Sequence, residues 1–113
     1  MLSAKNRLNK REVERIFRKG ANLSESFLYA RFLENKAKRS RFAIIVSKKI
    51  HSGAVERNRL RRKTYAILQE LMPNFSDRNL DMAIGYRSAP KSEEEIAPII
   101  EKVLKKTGNL SKF

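Results

Sequence analysis

Between positions 56 and 63 the chain reads Glu56-Arg57-Asn58-Arg59-Leu60-Arg61-Arg62-Lys63, and five of those eight side chains are cationic. Guanidinium groups do not cleave bonds by themselves. They offer a planar fork of donors that matches phosphate oxygens and the edge of guanine. Like charges at i,i+4 on a helix repel, so such a cluster makes best sense when an external polyanion neutralises it. A solvated basic helix face is the competing reading, and a run this short does not decide between them.

A second group of residues could also meet a nucleic acid. In Phe27-Leu28-Tyr29-Ala30-Arg31-Phe32-Leu33, strand alternation puts Phe27, Tyr29 and Arg31 on one face and Leu28, Ala30 and Phe32 on the other. Aromatic rings beside an arginine form a platform on which unpaired bases stack. A half-buried sheet face with an arginine reaching to solvent fits the same spacing. Lys48 and Lys49 follow a strongly apolar stretch and add charge close by.

These residues need elements to hold them. From Leu60 the basic run continues without Gly or Pro to Met72, with Leu60, Thr64, Ile67, Leu68 and Leu71 on one stripe. This predicts a helix over 55–72 that turns its seam to a core and Asn58, Arg62 and Gln69 to solvent. Glu56 suits the positive end of its dipole. Asn9 and Glu12 form a capping box for a helix over 10–19, with Val13, Ile16 and Phe17 inward, Arg11, Arg15 and Arg18 outward and Gly20 at its end. Residues 21–25 read as a polar turn, 27–33 as a strand and 34–40 as a basic hairpin connection. Arg41–Ser47 reads as the strongest strand, its unbroken apolar middle predicting a central place in the sheet. Leu80–Tyr86 is a further strand. Ser92-Glu93-Glu94-Glu95 resembles a second capping box ahead of Ile96, Ile99, Ile100, Val103 and Leu104, although Pro98 requires the helix to start late or bend. A frayed tail is expected over about 107–113. The sum is a single-domain α+β protein with helices against one small sheet. A strand-helix-strand crossover in it is right-handed by default.

At 113 residues there is chain for one modest core. The formal net charge is +14; residues 1–63 hold 19 Lys/Arg and 5 Asp/Glu, and residues 64–113 hold 7 of each, so all the excess lies in the first part. That asymmetry predicts a basic face on a neutral scaffold. No cysteine is present, which excludes disulfides, thiolate metal sites and a cysteine nucleophile. His51 is the only histidine, so a histidine-based zinc site or a Ser-His-Asp triad is not expected. Asp77 and Asp81 show no partner in the sequence, and no metal site is assigned to the protein. No apolar run reaches the ~20 residues of a membrane span, and Met1–Arg7 lacks the apolar core of a signal peptide. A cytoplasmic protein without membrane contact is expected.

The motifs together resemble the protein component of bacterial ribonuclease P. Arg57-Asn58-Arg59-Leu60-Arg61-Arg62 is similar to that family's Arg-Asn-Arg motif. Phe42-Ala43-Ile44-Ile45-Val46-Ser47-Lys48-Lys49 is similar to its strand ending in Ser-Lys-Lys, and Arg7-Leu8, Val13, Ile16-Phe17 and Gly20 are similar to its opening helix. The resemblance covers about residues 5–106. It implies an αβββαβα order with a small mixed sheet and a left-handed crossover, in place of the default hand. It implies a subunit of an endoribonuclease that removes the 5′ leader of precursor tRNA, with catalysis by a partner RNA and its magnesium ions. No cofactor bound by the protein and no protein partner is implied. Carried over, Arg57, Asn58, Arg59, Arg61 and Arg62, with Lys63 beside them, contact the ribonuclease P RNA. Val13, Phe17, Phe27, Tyr29 and Arg31 line a cleft for the leader of the precursor tRNA, with Lys48 and Lys49 at its mouth. The family often has an aromatic residue in place of Val13, and Arg and Glu in place of Tyr65 and Ala66. A ribosomal protein or RNA chaperone is the rival reading. A DNA-binding recognition helix is disfavoured, because no helix sits a short turn before residue 55.

Overall fold

A computed structural model describes residues 7–35, 39–75 and 79–110, with side chains described as far as Thr107. The order is α1 (Lys10–Lys19), β1 (Ala21–Glu25), β2 (Leu28–Glu34), β3 (Arg41–Ile45), α2 (Ala54–Leu71), β4 (Leu80–Tyr86) and α3 (Ile96–Leu110), with short 3-10 turns at Met72–Phe75 and Glu93–Glu95. This is the αβββαβα series. The strands form one mixed sheet in the order β1-β2-β4-β3. β1–β2 and β2–β4 are antiparallel, and β3–β4 is parallel.

Strand alternation assigns the two faces. Leu28, Ala30, Phe32, Phe42, Ile44, Leu80, Met82, Ile84 and Tyr86 share a core with Leu60, Ile67 and Leu68 of α2 and Ile96, Ile100, Val103 and Leu104 of α3. The opposite face carries Tyr29, Arg31, Ala43, Ala83 and Gly85 and is crossed by α1, which packs on β2 and β4 through the buried Ile16. Thr64 lies fully buried in the α2 seam because its hydroxyl donates to the Leu60 carbonyl at 2.8 Å and pairs with Tyr86 Oη at 2.7 Å.

Several expectations are corrected. β4, not the 41–47 stretch, is central; β3 lies at the edge. Its apolar run reflects burial of its faces, and its outer edge is covered otherwise. Arg7 pairs with Phe42, the Leu8 N–H donates to the Phe42 carbonyl at 2.8 Å, and the Ile44 N–H donates to Tyr65 Oη at 3.2 Å. Residues 21–25 are an edge strand rather than a turn, made by ladder bonds to β2 despite weak β-forming content. The turn is instead Ser26-Phe27, where Ser26 takes a positive φ of 54°. Because β4 separates β2 from β3, the 34–40 connection is not a hairpin; its residues 36–38 lie outside the described residues. Ser92 makes no side-chain cap, and α3 begins at Ile96, which places Pro98 in the first turn where its missing N–H costs little. α3 then runs to Leu110 with Thr107 fully buried; residues 111–113 of the tail expected to fray lie outside the described residues.

Candidate nucleic-acid interface

Two cationic surfaces emerge, one on each side of the sheet. The first belongs to α2. Leu60, Thr64, Ile67 and Leu68 are buried, while Asn58, Arg59, Arg62 and Lys63 are exposed and Arg57 and Arg61 half-buried. The helix is fixed by its seam and displays its cations, as the spacing predicted. The guanidinium groups are not equivalent. Arg57 donates to the carbonyls of His51 and Ser52 at 3.0 and 2.7 Å, holding the loop ahead of its own helix. Arg59 pairs with Glu93 at 2.8 Å and lies 4.0 Å from Glu56. Arg61 donates to Asn58 Oδ1. Arg62 and Lys63 have no protein partner among the described residues.

Sequence reasoning missed two contributors here. Arg7 and Tyr65 join Asn58, Arg61 and Arg62 around a recess of about 370 Å³. Arg7 reaches it because residue 7 runs alongside β3, a pairing that local periodicity does not reveal. Tyr65 stands where a charge was expected from the family pattern. Its hydroxyl accepts the edge N–H of Ile44, so the departure has a structural use.

The second surface lies where α1 packs on β2 and β4. The capping box is present in full: the Glu12 N–H donates to Asn9 Oδ1 at 2.9 Å, and the Asn9 N–H donates to Glu12 Oε1 at 3.0 Å. The other Glu12 oxygen pairs with Arg41. Arg41 in turn grips Asp81 through two bonds of 2.8 and 2.7 Å, and Asn35 donates to the same carboxylate at 2.7 Å. Asp81, read from the sequence as unpartnered, is thus committed three times over; Asp77 lies outside the described residues. The Asp81 carboxylate, ahead of Glu12, raises the Arg41 pKa above its ordinary value.

At the other end of α1, Arg31 donates to the Phe17 carbonyl at 2.5 Å and lies over the Phe17 ring, 5.2 Å from its centroid. Gly20 permits this closeness, since a Cβ there would stand 2.7 Å from the Ile16 carbonyl oxygen and 2.8 Å from that of Phe32. Tyr29, half-buried, lies across Gly85, where any Cβ would overlap its ring. Burial raises the Tyr29 pKa, with the nearby Arg31 charge opposing the shift. Val13 is half-buried on α1. Ile45 is in register with Gly85, so the exposed Lys48 and Lys49 leave the sheet at the Tyr29 end.

Phe27 does not join them. It sits in the hairpin turn, is buried, and stacks on Tyr86 with ring centroids 6.0 Å apart. It lines a separate recess with Ser88, Lys91, Ser92 and Pro98. Phe27 lies in the turn before β2, so strand alternation does not group it with Tyr29 and Arg31.

A mixed sheet with helices on both faces, an aromatic and guanidinium pair on one side and a row of arginines on the other define a cationic α+β protein suited to a polyanion. The chain belongs to the ribonuclease P protein family, the protein components of an endoribonuclease of tRNA processing that works as a ribonucleoprotein. The model of the family Ribonuclease P matches residues 2–108. The ribonuclease P protein component of Syntrophomonas wolfei is 34% identical over 96 residues, covering 84% of this chain and 80% of its own length. That of Pseudanabaena is 34% identical over 79 residues, 68% of each chain. Among solved structures, the RNase P protein of Staphylococcus aureus superposes with a TM-score of 0.70 at 25% identity, over 90% of this chain and 94% of that one. The Thermotoga maritima protein gives 0.64 at 28% identity, over 92% and 93%.

Proposed function

We propose that the chain binds ribonuclease P RNA through α2 and holds the single-stranded 5′ leader of precursor tRNA in the cleft under α1. Arg59, Arg61, Arg62 and Lys63 neutralise phosphates of the catalytic RNA, with Asn58 and Arg7 completing the recess, while Arg57 supports the surface through its loop. Phe17, Tyr29 and Arg31 offer faces on which leader bases stack, flanked by Val13, and Lys48 and Lys49 meet the leader backbone at the open end. Phe27 shapes the sheet end from within the core rather than touching the leader.

Hydrolysis is assigned to the RNA and the magnesium ions it carries. In support, Asp81 is committed to Arg41 and Asn35 and is not available to a metal. The protein's part is to neutralise repulsion between two polyanions and to position the bond, a contribution that weakens steeply with salt. Work on tRNA precursors places it in the cytoplasm. Among the described residues no helix is long and apolar enough to cross a membrane.

The observation that carries this reading is the Phe17–Arg31 pair, a ring and a guanidinium stacked where α1 meets the sheet, on the face opposite α2. A photo-crosslinking residue at position 17, in protein assembled with ribonuclease P RNA, tests it. Crosslinks to the leader of a bound precursor are expected; crosslinks only to the catalytic RNA would contradict the assignment.

A further inference from the structure

We infer that the outer face of α1 is a second docking surface for the phosphate backbone of the partner RNA, made by Arg11, Arg15 and Arg18. The inference rests on the reading above that this partner is ribonuclease P RNA.

With ~100° per residue, these three side chains fall within an arc of about 60° opposite Val13, Ile16 and Phe17. All three are exposed, and none forms an ion pair among the described residues, although Glu14 stands three residues after Arg11 and four before Arg18. The helix dipole accounts for Arg18 and Lys19 in the last turn. It does not account for Arg11, which lies in the first turn where a cation is disfavoured, or for Arg15 in the middle. Arg11 and Arg15 also repel at i,i+4.

The two carboxylates of α1 leave the stripe unpaired: Glu14 is exposed and forms no ion pair among the described residues. Glu12 is the acidic residue of the first turn, and its two oxygens point inward to the Asn9 N–H and to Arg41. α1 is also pinned at both ends by sheet arginines, Arg41 on Glu12 and Arg31 on the Phe17 carbonyl. The stripe is therefore held at a fixed angle to the sheet, as a docking surface requires. Its length is about 10 Å, and one strand of a duplex presents a charge every ~3.4 Å of axis. The stripe therefore spans about three phosphate steps of one strand, room for each of the three guanidinium groups to meet a phosphate. Because α1 and α2 lie on opposite faces of the sheet, the RNA segment met here differs from the one met by Arg62.

The test is binding of the full chain to ribonuclease P RNA over a salt series, comparing wild type with the triple variant Arg11→Gln, Arg15→Gln, Arg18→Gln. The expected result is a log–log salt slope shallower by about 2 to 3, at ~0.9 per phosphate contact, with affinity at low salt down by about tenfold or more. The corresponding triple Lys variant keeps the slope. The effect adds independently to that of Arg62→Ala, as separate surfaces require. If the triple Gln variant unfolds by circular dichroism, Arg15→Gln alone supplies the readout, with a slope change of about 0.9. Wild-type slope and affinity in a folded variant would overturn the inference. So would a loss seen only when precursor tRNA is present, which would place the stripe on the substrate. Failure of the wild type to prefer ribonuclease P RNA over an unrelated RNA of equal length would overturn the partner assignment itself, a different result from an unchanged slope.

Discussion

Arg31 holds Phe17 in two ways at once: its guanidinium lies over the ring and donates a hydrogen bond to the backbone carbonyl. The carbonyl lies in the closing turn of α1, at the negative end of its dipole, so the guanidinium fixes the helix end and aligns the ring together. Phe17→Ala is expected to weaken binding of leader-bearing precursor by about 1–3 kcal/mol, one base stack, while binding of mature tRNA is unchanged. Arg31→Lys, which keeps the charge and loses the planar fork, is expected to have a smaller effect in the same direction. Affinities of the assembled enzyme for precursor and mature tRNA check both. Equal losses on the two RNAs would mean that the pair is only structural.

Arg59 is the one exposed α2 arginine held by a carboxylate among the described residues, because Glu93 pairs with it at 2.8 Å. RNA must displace that carboxylate. An exposed pair of this kind contributes ~0.2–1 kcal/mol. Glu93→Gln is therefore expected to tighten binding of ribonuclease P RNA by up to about fivefold, and Arg59→Ala to weaken it less than Arg62→Ala does. Filter binding at low salt measures the order. Arg59→Ala as the most damaging of the three would refute the ranking.

The Glu12–Arg41–Asp81 bridge joins α1, β3 and β4. Asp81 is buried, and Asp81→Asn leaves Arg41 and Asn35 without their shared carboxylate. Hydrogen bonds to charged groups contribute ~1.5–3 kcal/mol each, less where solvent can replace them. A loss of about 2–3 kcal/mol in urea unfolding is expected, with an unchanged m-value. A loss under about half a kcal/mol would show that water replaces the bridge.

Tyr29 and Tyr86 both have raised pKa values, in each case chiefly from burial, opposed by Arg31 at Tyr29 and by the Thr64 hydroxyl bond at Tyr86. A raised folded-state pKa binds its proton more tightly in the native state. Their contribution to stability is therefore full below the ordinary phenol value of ~10 and is lost as pH rises through the raised values. Tyrosinate absorbance should still be rising above the ordinary phenol range in native protein, and Tyr29→Phe should remove part of that late rise. Completion of the titration within the ordinary range would contradict the burial seen here.

Much of this was legible locally. The bounds of α1 match its capping box and closing glycine, and the α2 seam follows its 3.6-residue period. β4 was bounded by its apolar content. What failed was non-local. A strand such as β1, with Leu23 as its one sizeable apolar residue, exists because β2 offers a ladder. The edge position of β3 cannot be read from its hydrophobicity, because a strand covered on its faces looks the same at the edge or the centre. Within the sites, the cations of α2 were placed correctly, but their partners were not foreseeable. Glu93 meets Arg59 only through the β4–α3 connection, and Arg7 reaches Arg62 only because residue 7 pairs with β3. Phe27 was grouped with Tyr29 and Arg31 by an alternation that holds only from Leu28 on, where β2 begins.

Reconstituted cleavage tests the central claim most directly. The purified protein, a bacterial ribonuclease P RNA and a 5′-labelled precursor tRNA are combined at low magnesium, beside protein-alone and RNA-alone controls. Efficient cleavage at the mature 5′ end by the mixture alone is the predicted result, with the protein by itself inert. A mixture no faster than RNA alone, despite tight RNA binding, would contradict the account and leave a general RNA-binding protein.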